Sequence, residues 1–297
     1  MRKEYIYVGI CVLLWSTSAT VTKLLLSSFN SMQILAINSL VAFMFLLILN
    51  LVKGNLKKFK KLNVKDYLQI AGIGFLGTFL YNLFLYLGIN YMLASQAYIL
   101  NYLWPIMTVI FACIILKEKI TVRKILAVIL SFIGVILVLI NGNLMGLNDR
   151  SIIGAIFCVL GAMSCGLFST LTKKITYDKN ISVMIYYLVS FIISSIYIVI
   201  SKDWFIIEPA QIRGFVWTGI FTSGIAYTLW ALALEKGDTA KISTLAYMSP
   251  FLSLIWTSVI LKENISIYSV IGLIIIVLGI FIQLKDSNMD KNKAKMK

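Results

Sequence analysis

Residues 101–118 read NYLWPIMTVIFACIILKE, and residues 246–263 read AYMSPFLSLIWTSVILKE. The two stretches align without a gap at an offset of 145 residues. In each, a proline stands three positions after a tyrosine, and each ends in Ile-Leu-Lys-Glu. Gly134 and Gly279 are separated by the same offset. The second half of the chain is therefore predicted to repeat the first.

The apolar content of the chain predicts a membrane protein. Of the 297 residues, 60% are hydrophobic and 13% are charged, and the mean hydropathy is +0.92. Soluble domains are about 45–50% apolar and about 25% charged. A spanning helix needs roughly 20 apolar residues. The runs free of charged residues supply ten such spans, because the run 67–116 can hold two with a turn near Gly88–Tyr91. The predicted spans are 5–26, 32–52, 66–87, 92–116, 121–140, 150–171, 181–200, 212–234, 238–261 and 267–284.

The net charge of +15 is explained by the orientation of the chain in the membrane. With the N-terminus placed in the cytoplasm, 22 of the 27 basic residues lie on the cytoplasmic side and four on the opposite side. Loops rich in lysine and arginine stay on the cytoplasmic side. The prediction is therefore a multi-pass protein with both termini cytoplasmic. Its parts are a first repeat over 1–140, a second over 141–284 and a basic cytoplasmic tail over 285–297.

Two halves of five spans must enter the membrane in opposite directions, because five is odd. The fold class predicted is therefore all-α, with ten transmembrane helices arranged as two five-helix inverted-topology repeats. Inverted repeats are typical of transporters, in which one half rocks against the other around a site at the membrane midplane. Pro105 and Pro250 fall inside the fourth and ninth spans and leave the carbonyls of Asn101 and Ala246 without their helical partners. We expect these prolines to act as hinges, and two readings stay open: a kink alone, or a kink beside a binding site.

Aromatic and amide side chains inside the spans are the candidate substrate-binding residues. Bands of aromatic residues at the membrane surface explain tyrosine and tryptophan near span ends, but not in the middle of a span. Hydrogen bonding between neighbouring helices is the alternative explanation for each residue. Together the set fits a neutral or zwitterionic ligand with an apolar, aromatic body. The set is Trp15, Ser16, Tyr81, Asn82, Tyr98, Asn101, Tyr102, Tyr227, Trp230 and Tyr247.

Charged side chains are nearly absent from the spans. Glu118 and Glu263 stand at span ends beside lysines, where we expect solvated ion pairs. Lys23 lies near the outer end of the first span, where its ammonium group can reach the interface as an anchor. A strongly anionic substrate is therefore disfavoured.

The residue types exclude several classes of function. The chain has no histidine, so histidine-based triads and zinc sites are excluded. Its four cysteines lie in apolar runs without a Cys-x-x-Cys pair, which favours buried thiols over a metal site. No catalytic residue, cofactor or metal is predicted, and a membrane-embedded enzyme is the remote alternative. The expected partners are a small-molecule substrate and membrane lipids, not nucleic acid. The oligomeric state stays open, with a monomer as one option.

Three motifs resemble a known family. Leu14-Trp15-Ser16-Thr17, Asn101-Tyr102-Leu103-Trp104-Pro105 and Gly224-Ile225-Ala226-Tyr227-x-x-Trp230, together with the repeat, resemble the EamA-type transporters of the drug/metabolite transporter superfamily, and most closely their aromatic amino acid exporter branch. Many members carry an arginine early in the second span, where this chain has Asn38 and Ser39. The resemblance implies a plasma-membrane exporter of amino acids, aromatic ones preferred, or of similar small metabolites. Efflux of drugs or of another class of metabolite is the alternative that it leaves open.

Overall fold

The structure is a computed structural model that describes residues 3–55, 57–58, 62–141, 149–172, 177–236 and 245–295. The side chains of residues 231, 234–236 and 283–295 are not part of that description, so the lysines predicted to face the cytoplasm at 60, 61, 173, 174, 236, 241 and in the tail lie outside it. Every regular element within the described ranges is helical. The α-helices are α1 Lys3–Ser16, α2 Ser18–Leu25, α3 Ser31–Val52, α4 Val64–Gly74, α5 Tyr81–Tyr91, α6 Ala94–Asn101, α7 Trp104–Ile115, α8 Val122–Ile140, α9 Asp149–Thr172, α10 Lys179–Ser201, α11 Pro209–Val216, α12 Ala226–Lys236, α13 Ser249–Leu261 and α14 Ile267–Lys295.

Seven helical stretches of the described chain are long and apolar enough to cross a membrane, judged by length and composition. Three further stretches, 209–236, 249–261 and 267–295, lie where the eighth, ninth and tenth spans are predicted. The count of ten therefore stays a prediction. The turn predicted near Gly88–Tyr91 is wrong by a few residues, because α5 continues to Tyr91 and the chain turns at 92–93. The seven stretches are Lys3–Leu25, Ser31–Val52, Val64–Tyr91, Ala94–Ile115, Val122–Ile140, Asp149–Thr172 and Lys179–Ser201.

The predicted proline kinks are full interruptions of the helix. Pro105 and Pro250 lie in the first turns of α7 and α13, where a residue without an N–H group fits without loss. The preceding residues, 102–103 and 247–248, form turns. The carbonyl of Ala246 accepts a hydrogen bond from the hydroxyl of Tyr102 at 3.5 Å, so the two interruptions face each other.

The offset of 145 residues recurs in the helix boundaries. Helices α4 and α11 begin at residues 64 and 209, α7 and α13 at 104 and 249, and α8 and α14 at 122 and 267. Each half also contains a π-helical segment, Phe75–Leu80 in the first and Trp217–Ile225 in the second. Both π segments end immediately before an α-helix, at positions 145 residues apart.

A contact at the predicted cytoplasmic end joins the two halves. The Lys58 ammonium lies 2.7 Å from a carboxylate oxygen of Asp178. The other oxygen of Asp178 accepts from the backbone N–H groups of Asn180 and Ile181, at 3.0 and 3.3 Å, and so caps α10. Burial raises the pKa of Asp178, but the bonds from Lys58 and from the two N–H groups outweigh it, so the pKa is below its ordinary value.

We expect Asp178→Ala to destabilise the protein by about 1 kcal/mol more than Asp178→Asn, because asparagine keeps the cap and loses only the Lys58 pair. A depressed pKa contributes stability above the unfolded pKa, near 4, and that stability is lost as pH falls through the folded pKa. The difference in melting temperature between wild type and Asp178→Asn in detergent should therefore shrink as the pH falls below about 4. A difference that does not depend on pH would contradict the assignment.

Candidate functional site

Trp15 is the centre of an aromatic cluster that joins the two halves of the chain. Its ring lies 5.5 Å from the ring of Tyr227 and 5.3 Å from that of Trp230, measured between centroids. The indole N–H of Trp15 donates to the carbonyl of Thr222 at 3.1 Å. Because Trp15 belongs to the first half and its three partners to the second, the cluster lies where the halves meet.

Tyr98 connects this cluster to the interrupted fourth span. Its hydroxyl donates to the carbonyl of Trp15 at 2.6 Å, and its ring lies 5.6 Å from that of Tyr102. The Trp15 carbonyl can accept because α1 ends at Ser16, and the last four carbonyls of a helix lack partners within it. The break in the first span therefore supplies the acceptor that positions Tyr98.

Asn101 is the last residue of α6 and is buried, with 3% of its surface exposed. Its side-chain Nδ2 donates to the hydroxyl of Tyr81 at 3.0 Å. Its Oδ1 is buried and has no hydrogen-bond partner among the described residues. A buried acceptor without a partner is costly, so this oxygen is suited to a donor that arrives with a ligand.

Tyr81 and Tyr227 complete the site. The Tyr81 hydroxyl accepts the bond from Asn101, and the free thiol of Cys165 lies on α9, which packs against α5. Tyr227 is 38% exposed, so its ring is not fully enclosed by the packing of the helices. The described side chains of the site are aromatic, amide, hydroxyl and thiol groups, and none carries a formal charge.

Two predicted site residues have other partners. The amide of Asn82 donates to the Thr78 carbonyl of its own helical stretch at 2.7 Å, a bond within the helix and not one between neighbouring helices. Tyr247 is buried, and its ring packs against that of Phe281 at 6.2 Å. Neither makes a recorded contact with Trp15.

Two more predicted residues lie at the site and also take part in the packing of the helices. Ser16 is buried beside Trp15, and its hydroxyl donates to the Leu13 carbonyl and accepts from the indole of Trp256 at 3.0 Å. Trp230 contacts Trp15 but also packs against Val8 and Val12 of α1. Both therefore hold the first span in place as well as lining the cluster.

Asn38 is a residue that the sequence did not mark as part of the site. It is 4% exposed; its Oδ1 accepts from the Thr218 hydroxyl at 2.5 Å, and its Nδ2 donates to the Tyr86 hydroxyl at 3.2 Å. It thus joins the first half to the second π segment. The available signal was an amide in the interior of the predominantly apolar, 22-residue α3.

The charged residues at the predicted outer end differ from expectation. Glu263 was expected in a solvated pair, but its carboxylate accepts from the backbone N–H groups of Ala94 and Ser95 at 2.8 and 3.0 Å. Lys23 was expected to anchor at the interface, but its ammonium donates to the carbonyls of Ile89 and Met92 at 2.5 and 3.1 Å. These two contacts replace the predicted ones for the same physical reason. Unpaired backbone N–H and C=O groups at helix ends carry partial charges, and each binds a side chain of opposite charge.

Glu118 follows the expectation. Its carboxylate pairs with Lys124 at 3.1 Å, and the side chain is 42% exposed. Among the described residues, Glu118 thus pairs within its own half, whereas Glu263 binds the other half.

The chain is similar in sequence and in fold to known transporters and to a solved structure. The sequence model of the EamA-like transporter family matches residues 2–140 and again residues 152–284. An uncharacterized transporter of Clostridium kluyveri is 27% identical, with 99% of this chain and 97% of that protein covered. An uncharacterized transporter of Archaeoglobus fulgidus is 23% identical over 94% of this chain and 98% of that protein. The uncharacterized transporter YyaM of Bacillus subtilis is 26% identical over 81% of this chain and 80% of that protein. A solved crystal structure superimposes with a TM-score of 0.68 at 18% identity, covering 95% of this chain and 96% of the other, which shows a shared fold.

Proposed function

Since the chain belongs to the EamA-like transporter family, a family of membrane transporters, we propose that it exports amino acids, aromatic ones preferred, across the plasma membrane by alternating access. The proposal concerns the substrate and the direction, because the relatives are transporters without an assigned substrate. It rests on the chemistry of the site around Trp15, Tyr98 and Asn101.

The aromatic cluster favours a substrate with an aromatic body. Trp15 and Tyr227 meet edge to face, and Trp15 and Trp230 are tilted. Such pairs expose ring faces and edges on which a further ring gains about 0.5–1.5 kcal/mol beyond the burial of its area. Because Tyr227 is 38% exposed, one ring in this cluster is open to a ligand.

The interrupted helices favour a zwitterion. A helix carries partial negative charge at its C-terminal end and partial positive charge at its N-terminal end. At the facing breaks, α6 ends at Asn101, while α7 and α13 begin at Trp104 and Ser249. Broken half-helices bind anionic groups at their N-termini and cations at their C-termini in transporters of known mechanism. An α-carboxylate and an α-ammonium group fit this pair of ends without a charged side chain.

The single observation that carries the proposal is the buried, unpaired Oδ1 of Asn101 at the negative end of α6. An ammonium group supplies the donor that this oxygen lacks. Phosphate-bearing substrates would need a lysine or arginine, and none of the described side chains of the site provides one. Efflux of uncharged drugs or metabolites remains the alternative, which a substrate screen separates.

For the architecture, we propose the two inverted halves 1–140 and 141–284, with both termini in the cytoplasm and hinges at Pro105 and Pro250. The common offset of 145 residues in the helix starts supports two related halves. The interruptions before both prolines give each half a point about which its short helices can turn.

The test is flux in liposomes that contain the purified protein. We expect labelled tryptophan, phenylalanine and tyrosine to cross faster than in empty vesicles, and each should compete with the others. Glutamate and sugar phosphates should not cross. Absence of flux for every amino acid would reject the substrate assignment, and flux of an uncharged drug alone would support the alternative.

Trp15→Ala should reduce this flux by about tenfold, since it removes the ring contacts with Tyr227 and Trp230, and Trp15→Phe should restore part of it. The measurement is the initial rate of uptake at equal amounts of monodisperse protein. A loss of folded protein in place of a loss of rate would assign Trp15 to packing alone.

A further inference from the structure

We propose that Glu263 is the latch of an outer gate: its carboxylate holds the N-terminus of α6 closed over the site, and release of this contact opens the site to the face opposite the chain termini. The proposal rests on the alternating-access part of the proposed function and not on the identity of the substrate.

The latch is a dense set of hydrogen bonds across the two halves. One oxygen of Glu263 accepts from the Ala94 N–H at 2.8 Å, and the other accepts from the N–H and the hydroxyl of Ser95 at 3.0 and 2.6 Å. Bonds to an ionised acceptor are about twice as strong as neutral ones. The partial positive charge of the helix N-terminus adds to the attraction. Residue 263 belongs to the second half and α6 to the first, so the contact has to break if the halves separate at this end.

The clamped helix is built to move as a unit. Helix α6 has only eight residues and lies between the turn at 92–93 and the interruption at 102–103. It carries Tyr98 and Asn101, and the seven residue steps from Ala94 to Asn101 separate the latch from the site by about 10 Å along the helix. A short helix that is fixed at one end by side-chain bonds and joined to the rest of its span through a break can pivot when those bonds are lost.

Lys23 holds the other side of the same turn. Its ammonium binds the Ile89 and Met92 carbonyls at the C-terminal end of α5, while Glu263 binds the N-terminal end of α6. Each charge meets the helix end of opposite sign. Lys23 lies on α2, in the same half as α5, so it steadies the hairpin of α5 and α6 within the first half. Glu263 is the charge that ties the hairpin to the second half.

Glu118 provides a control within the same chain. It is the repeat counterpart of Glu263, 145 residues earlier, and lies at the opposite predicted end of the membrane. Among the described residues, its carboxylate pairs with Lys124 of its own half. Its substitution therefore leaves the outer contact of Glu263 intact.

The native thiol of Cys165 gives a reporter for the gate. It is a free, partly buried thiol on α9, the helix that packs against α5, α6 and α7. In a chain that retains Cys165 and has alanine at Cys11, Cys113 and Cys158, we expect Glu263→Gln to raise the rate of labelling by a membrane-impermeant thiol reagent on intact cells by about tenfold. Glu118→Gln is the matched control and should not raise it.

A second variant keeps the test valid if Glu263→Gln does not fold. Ser95→Ala removes one of the three bonds and should raise labelling by a smaller factor, with the protein still monodisperse in detergent. Unchanged labelling in both folded variants, an equal rise in Glu118→Gln, or a rise confined to inside-out vesicles would overturn the proposal. The labelling needs no substrate, so a failed latch and a failed amino-acid assignment give different results.

Discussion

Asn101→Ala should reduce the initial rate of aromatic amino-acid flux into liposomes by at least about tenfold, which corresponds to the loss of about one hydrogen bond to a charged group. The variant removes the buried Oδ1 that has no partner among the described residues, and with it the proposed acceptor for the substrate ammonium. It also frees the Tyr81 hydroxyl from its 3.0 Å bond to the amide. The loss of that buried bond should lower stability by about 1 kcal/mol, so flux is compared at equal amounts of monodisperse protein.

The control for this variant is Asn82→Ala. Both asparagines lie inside predicted spans, but the Asn82 amide bonds the Thr78 carbonyl of its own helical stretch. We expect Asn82→Ala to keep most of the flux. Equal losses of rate in the two variants, or equal losses of monodisperse protein, would instead assign Asn101 to the packing of helices.

The sequence predicted the class of the protein because the physical constraints of a membrane act on every residue. Each span must be helical and apolar, so composition and charge-free runs locate the helices to within a few residues. The repeat is also visible in the amino-acid sequence, because Pro105 and Pro250 occupy the same position in two similar stretches. The conclusion that the chain is a membrane transporter of the EamA-like family is confirmed by the two matches to the family model.

The interior of the site was harder to predict, because it depends on which way each side chain points. Asn82 and Asn101 are the same residue type at similar depth, yet one bonds its own helix and the other leaves an acceptor free. The π segment 75–80 changes the helical phase just before Tyr81 and Asn82, so an α-helical period does not give the direction of the Asn82 side chain. No residue type marks a π segment in advance, so spacing alone could not separate the two asparagines.

The charged residues show a second limit of the sequence. Glu118 and Glu263 end identical Ile-Leu-Lys-Glu motifs, and a solvated pair was the prediction for both. Only Glu118 pairs in this way. The partner of Glu263 is the backbone of Ala94 and Ser95. Because nearly every residue has the same backbone N–H group, the sequence does not show which of them will bind a carboxylate. Contacts of this kind become visible only when the two halves are assembled.

Gly134→Val should prevent the chain from folding, or lower its free energy of unfolding by about 3 kcal/mol or more. A Cβ atom on Gly134 would lie 2.6 Å from the carbonyl oxygen of Gly272, on the helix α14 that packs along α8. Gly272 is placed in the same way against the carbonyl of Gly134, also at 2.6 Å. Helices in a membrane associate through such small residues, since the apolar surface alone gains little from leaving lipid.

In Gly134→Val the added Cβ meets a backbone carbonyl and not the end of a flexible side chain. The clash can therefore be relieved only if the two helices move apart. Gly72→Val is the matched control, because Gly72 is also helical but has no neighbouring atom within 4 Å of an added Cβ. We expect the yield of monodisperse protein and the melting temperature in detergent to fall for Gly134→Val and to stay near wild type for Gly72→Val. If Gly134→Val were as stable as wild type, the close approach of α8 and α14 at Gly134 and Gly272 would be contradicted.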